Sequence, residues 1–165
     1  MSEHRVHTET ELADQISWFK AESSESLAVV KNLEARIDEN QELSRHVSAY
    51  IQNRKIAQQS KHIGNPAEYQ ETHCAELTAY QAAAAYFKAH NIQKLPSLKQ
   101  LKAEREELIS EKAQFYQKYR EAHKAWLDLA TAQQNLEALH RAEGRRKMTR
   151  GGLHETADET ADIGH

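Results

Sequence analysis

The chain has 165 residues, 39% of them apolar, and carries a formal net charge of −3. That length suits one domain or one elongated helical module, and so low an apolar share excludes a thick core. Near charge balance there is no global pull towards nucleic acid or an anionic membrane, which leaves only local patches to consider.

Five Gly and two Pro punctuate a sequence rich in Ala, Glu, Gln, Lys and Leu, so long helices joined by few turns are the economical reading and the class is all-α. Cys74 is the single cysteine; with no partner for a disulfide and no CxxC zinc spacing, it fits a reducing compartment, and the cytoplasm is the expected location. The N-terminal residues lack the apolar core of a signal peptide, and no stretch approaches the roughly 20 apolar residues of a membrane span.

Residues 1–8 are expected to be a flexible N-terminus. Thr8 and Glu11 have capping-box spacing, which starts a first helix over about 9–62. A four-three spacing then runs through Leu12, Ile16, Phe19, Ser23, Ser26, Val30, Leu33, Ile37, Asn40, Ser44, Val47 and Ile51. This is a heptad seam with polar interruptions, and Leu27 and Leu43 stand one position off it, a drift that favours an irregular antiparallel bundle over a strict parallel zipper. Ser23, Asn40 and Ser44 would be tolerable facing solvent or a partner.

Gly64 offers a left-handed C′ residue, and Asn65-Pro66-Ala67-Glu68 supplies an N-cap, a Pro at N1 and an acid at N3 for a second helix over about 66–90. Tyr69, His73, Leu77, Tyr80, Ala84 and Phe87 recur along it at helical spacing, and the run Ala82 to Ala85 allows close approach of a neighbour.

The third helix, about 98–143, is launched at Leu95-Pro96-Ser97. Pro96 biases Leu95 away from the helical basin, Ser97 caps, Gln100 stands at N3 of a capping box, and Leu95 can staple against Leu101. Its seam carries Leu98, Leu101, Leu108, Phe115, Tyr119, Trp126, Leu129 and Leu136, of which Phe115 and Trp126 are expected to be buried.

Helices of such length extend about 70–80 Å at 1.5 Å per residue. The expected architecture is an elongated three-helix antiparallel coiled-coil-like bundle over residues 9–143, with the seams closed within one chain or between two as a homodimer. Residues 144–165, basic at first and then acidic through the repeat Glu155-Thr156-Ala157-Asp158 and Glu159-Thr160-Ala161-Asp162, offer nothing to bury and read as a disordered tail.

Ten histidines invite a metal hypothesis, but His4 and His7 sit ahead of the first cap and supply only two ligands. His73 and Cys74 are adjacent on a helix and point about 100° apart, which prevents their acting together as base and nucleophile. Glu104, Glu106, Glu107 and Glu111 alternate with Lys102, Arg105 and Lys112 as the charged face of a long helix. GxxxxGK[ST], GxGxxG, HExxH and GxSxG are all absent from the sequence. The expectation is a chain with no catalytic residues, no cofactor and no metal. Arg141, Arg145, Arg146, Lys147 and Arg150 form the candidate contact with DNA or a partner, since such a cluster can hold phosphates without reading sequence. The same cations would also suit a solubilising segment after a helix C-terminus.

The run Leu95-Pro96-Ser97-Leu98-Lys99-Gln100-Leu101-Lys102-Ala103-Glu104, followed by Glu107-Leu108, Glu111-Lys112 and Tyr116-Gln117-Lys118-Tyr119-Arg120, resembles the C-terminal helical region of relaxases, the mobilisation nucleases of Gram-positive mobile elements. Leu33-Glu34-Ala35-Arg36-Ile37, Tyr50-Ile51-Gln52-Asn53-Arg54 and Ala84-Ala85-Tyr86-Phe87 precede it in matching order, so the likeness covers residues 25 to 139. The nuclease domain with its tyrosine and histidine cluster has no counterpart here, and no catalytic residue carries over. The resemblance implies a non-catalytic accessory module of DNA mobilisation that contacts transfer machinery and, non-specifically, nucleic acid. A small mobile-element inhibitor of a host defence nuclease complex and a structural coiled coil are the competing readings.

Overall fold

The computed structural model describes the backbone of residues 9–159 and the side chains of residues 9–150. Four helices follow one another: α1 (Glu9–Ser60), α2 (Pro66–Thr72), α3 (Cys74–Ala89) and α4 (Leu98–Glu159). Among the described residues there is no strand, and no helix is long and apolar enough to cross a membrane. The flexible N-terminus expected over residues 1–8, with its cap Thr8, lies outside the described residues, as do residues 160–165 of the expected tail.

The chain divides into two compact units, a central one of Leu27–Tyr116 and a terminal one of Met1–Ser26 with Gln117–His165. The core of the central unit has two parts. Val47 of α1, Ala83 and Phe87 of α3 and Leu101 of α4 form one cluster, with Leu43, Tyr50, Tyr86, Ile92 and Leu95 packed against it. Leu33, Ile37 and Leu108 form the other, flanked by Val29 and Phe115. Rising numbers on α1 meet falling numbers on α4, with Glu34 pairing to Lys112 at 3.1 Å and Asn40 to Leu101 at 3.0 Å. The two segments therefore run in opposite directions. In the terminal unit Glu9 pairs with His140 at 3.0 Å, Lys20 lies 5.7 Å from the Trp126 ring centroid and Glu22 meets Lys118 at 3.8 Å, again in opposite directions.

The polar seam residues Ser23, Ser26 and Asn40 are buried, and Ser44 is half-buried. Their small size explains this, because hydroxyls can return to the helix that carries them. Ser23 Oγ donates to the Lys20 carbonyl at 2.9 Å and Ser44 Oγ to the Asn40 carbonyl at 2.8 Å, satisfying each group without a partner helix.

The connection from α3 to α4 is specified at both ends. Asn91 has φ +53°, Asn91 N–H donates to the Lys88 carbonyl and Ile92 N–H to the Phe87 carbonyl at 2.8 Å. This is a Schellman stop with its accompanying contact between Ile92 and the cluster of Phe87. Ser97 N–H then donates to Gln100 Oε1 at 3.3 Å while Gln100 N–H donates to Ser97 Oγ at 3.1 Å. The two bonds make a reciprocal capping box, and Leu95 packs on the cluster that holds Leu101.

Three expectations are corrected. Gly64 does not take a left-handed conformation; the α1 exit is instead turned by Lys61 and His62 N–H groups bonding back to Gln58 and Gln59. The second helix is two, because His73 ends α2 and opens α3 with φ −115° and ψ 28°. Thr72 Oγ1 bonds back to the Glu68 carbonyl at 2.9 Å, a contact that bends helices, while Tyr69 Oη is tied to the Ile56 carbonyl and Gln59 of α1. Nor does α4 stop at Glu143: it passes Gly144 and runs to Glu159. Each of its three glycines, Gly144, Gly151 and Gly152, costs about 1 kcal/mol against Ala, and around Gly144 neighbours of good helix propensity such as Arg, Lys, Met and Ala offset that penalty.

Leu101→Ala is expected to cost about 2–5 kcal/mol in urea unfolding, because that side chain is 3% exposed within the cluster. Leu98→Ala, three residues earlier and 41% exposed, should change stability by about 0.5 kcal/mol or less.

Candidate functional site

The α4 seam expected from spacing is only partly buried. Leu101 and Leu108 are buried, Phe115, Tyr119, Trp126 and Leu129 are half-buried, and Leu98 and Leu136 are exposed. Phe115, which packs against Leu33, Ile37 and Leu108, and Trp126 are thus less enclosed than their size suggested.

Beyond His140, the partner of Glu9, α4 is exposed at every described position. Arg141, Arg145, Arg146, Lys147 and Arg150 all lie there on helical backbone, with Glu143 as the single acid among them. At about 100° per residue, Arg141 and Arg145 share one side, Arg146 and Arg150 the opposite side, and Lys147 lies between. Arg141 Nε donates to the Glu137 carbonyl at 3.4 Å, and Thr149 Oγ1 bonds back to the Arg145 and Arg146 carbonyls at 3.0 Å. Met148 is 81% exposed, so the cationic surface has a soft apolar point within it. The cluster is therefore brought together on one helix.

A second site went unnoticed in the sequence because it needs three elements at once. Within the central unit, α1, the end of α3 with its exit loop and the start of α4 enclose a groove of about 480 Å³. Leu43, Ile92 and Leu101 give it apolar walls, and Glu39, Glu42 and Glu104 stand around it against one opposing cation, Arg36. Tyr86 contributes one flank, its ring stacked between His46 at 4.2 Å and His90 at 4.0 Å. Glu42 reaches His46 at 4.0 Å, and a ring nitrogen of His90 lies 2.9 Å from the Tyr86 carbonyl. Burial, reinforced by Glu42 and Glu39, raises the Tyr86 hydroxyl above its ordinary pKa, so it stays a neutral donor and acceptor.

Asn40 lies at the base of this groove and is 6% exposed. Its Nδ2 donates to the Leu101 carbonyl at 3.0 Å, while its Oδ1 is buried with no donor, alone in this respect among the described side-chain atoms. The signal legible beforehand was an Asn on an apolar seam with Arg36, Glu39 and Glu42 beside it. What the groove can do is bind, since carboxylates and an amide oxygen accept hydrogen bonds and the walls can take an aliphatic stem.

Elsewhere, Cys74 is exposed and His73 lies 4.0 Å from Glu76. Among the described residues no three His, Cys, Asp or Glu side chains come together as a ligand set, and His4 and His7 lie outside the described residues. No protein-family model, no curated protein and no solved structure matches the chain.

Asn40→Leu removes both the one donor bond and the unmatched acceptor, so urea unfolding should show stability unchanged or raised. Asn40→Asp sets a carboxylate against the Leu101 carbonyl and should lose about 1–3 kcal/mol.

Proposed function

We propose that this chain is a non-catalytic helical interaction module that holds nucleic-acid phosphates along the basic end of α4, as a relaxase-derived accessory piece in DNA mobilisation. One observation carries the reading: Arg141, Arg145, Arg146, Lys147 and Arg150 stand exposed on continuous helical backbone with Glu143 alone opposing them. Cations arranged around a helix can meet phosphates on both walls of a groove, and Arg takes phosphate in a bidentate manner. Pre-ordering on a helix lowers the conformational entropy lost on contact. The relaxase likeness of residues 25 to 139 supports DNA as the polyanion and transfer proteins as further partners. The lone, exposed Cys74 fits a cytoplasmic setting.

The reading is tested by fluorescence anisotropy with a labelled DNA duplex over a salt series. Affinity should fall steeply from about 50 to 200 mM salt, with log K losing about 0.9 per decade of salt for each phosphate neutralised, and should differ little between sequences. Arg145→Ala and Arg146→Ala should each flatten that slope by about 0.9. Absence of binding at low salt, or a slope that neither substitution moves, would refute it.

A further inference from the structure

We infer that the acidic groove around Asn40 is a docking site for the basic end of α4 from a second copy of this chain. The groove presents the carboxylates of Glu39, Glu42 and Glu104 against Arg36 alone. Carboxylates on a helix surface are ordinarily a solvated face, but here a second observation stands beside them: Asn40, at 6% exposure, holds an Oδ1 with no donor. A buried amide oxygen left unmatched is a cost that the free chain carries, and an N–H donor that reaches it from the groove, which Asn40 lines, would relieve that cost.

The groove therefore calls for positive charge, several donors and an apolar stem. An arginine side chain has all three, with five N–H donors in a planar fork on a methylene chain. The walls Leu43, Ile92 and Leu101 would hold the stem. Guanidinium groups of this description occur on the same chain, at Arg141, Arg145, Arg146 and Arg150, on exposed helix with one neighbouring acid. The charge complementarity is thus present on both sides within one sequence. A reciprocal exchange, each copy's basic end in the other's groove, is the two-fold arrangement that closes on itself. Because few side chains engage, the association is weak and salt-sensitive. It uses the cations of the proposed nucleic-acid site against a different anion, so self-association and phosphate binding compete.

Sedimentation velocity on the full chain at low salt tests this with a charge exchange. Wild type should self-associate, with the dimerisation constant weakening at least tenfold when salt is raised. Glu39→Lys/Glu42→Lys and Arg145→Glu/Arg146→Glu should each be monomeric, and mixing the two should restore a complex, because the unaltered tail of the first fits the unaltered groove of the second and the two reversed sites fit each other. Asn40→Leu should weaken wild-type association severalfold. Circular dichroism establishes that each variant is folded, with Glu39→Gln/Glu42→Gln as the milder groove variant. A wild type monomeric at every concentration, an association that both reversals leave intact, or a mixture that stays monomeric would overturn the proposal. DNA anisotropy on the same samples separates the two readings. Charge-exchanged association without DNA binding would sink only the proposed function, and DNA binding by a strictly monomeric wild type would sink only the docking site.

Discussion

The hydrogen bond from Asn40 Nδ2 to the Leu101 carbonyl, 3.0 Å long and joining residues 61 apart, fixes how α1 meets the start of α4. Around it the apolar contacts are non-directional: Val47, Ala83, Phe87 and Leu101 would tolerate a slide by a turn as long as area stayed buried. The amide would not, since a displaced Nδ2 would join Oδ1 as a second unpaired buried atom. A polar residue on an apolar seam sets register in this way at some expense in stability. The Schellman stop at Asn91 and the capping box at Ser97 then deliver Leu101 to that position from the α3 side, so local backbone chemistry and the one long-range polar bond specify the same arrangement.

The register also shapes the groove. Bringing Asn40 to Leu101 also brings Glu39 and Glu42 to the same groove as Glu104, and places the His46, Tyr86 and His90 stack on its flank. The central unit thereby has a recess with acidic and aromatic lining, while the cations lie on an exposed stretch of α4. One chain thus carries an acceptor-rich recess and a donor-rich helix end.

Features governed by residues close in sequence were legible beforehand. Ser97 and Gln100 found each other because a capping box needs only a spacing of three, and the α1 seam from Leu12 to Val47 follows from helical periodicity. Features decided by non-local competition were not. Gly64 looked like the left-handed stop, yet among the described residues the one with positive φ is Asn91, whose neighbour Ile92 gains burial against Phe87. The break at His73 depends on Tyr69 being tied across to α1. Gly144 reads as a stop on propensity alone, but the run of helix formers around it prevails. The Asn40 groove needed three elements placed together, and the sequence offered only the odd polar residue on the seam.

Hydrogen–deuterium exchange with and without a short DNA duplex asks whether the core pinned at Asn40 and the basic end of α4 behave as proposed. Amides of residues 33–47 and 101–108 should exchange slowest in both states, and DNA should add protection over residues 141–150 and nowhere in that core. Protection gained elsewhere, or residues 33–47 exchanging as fast as residues 141–150 in the free chain, would contradict it.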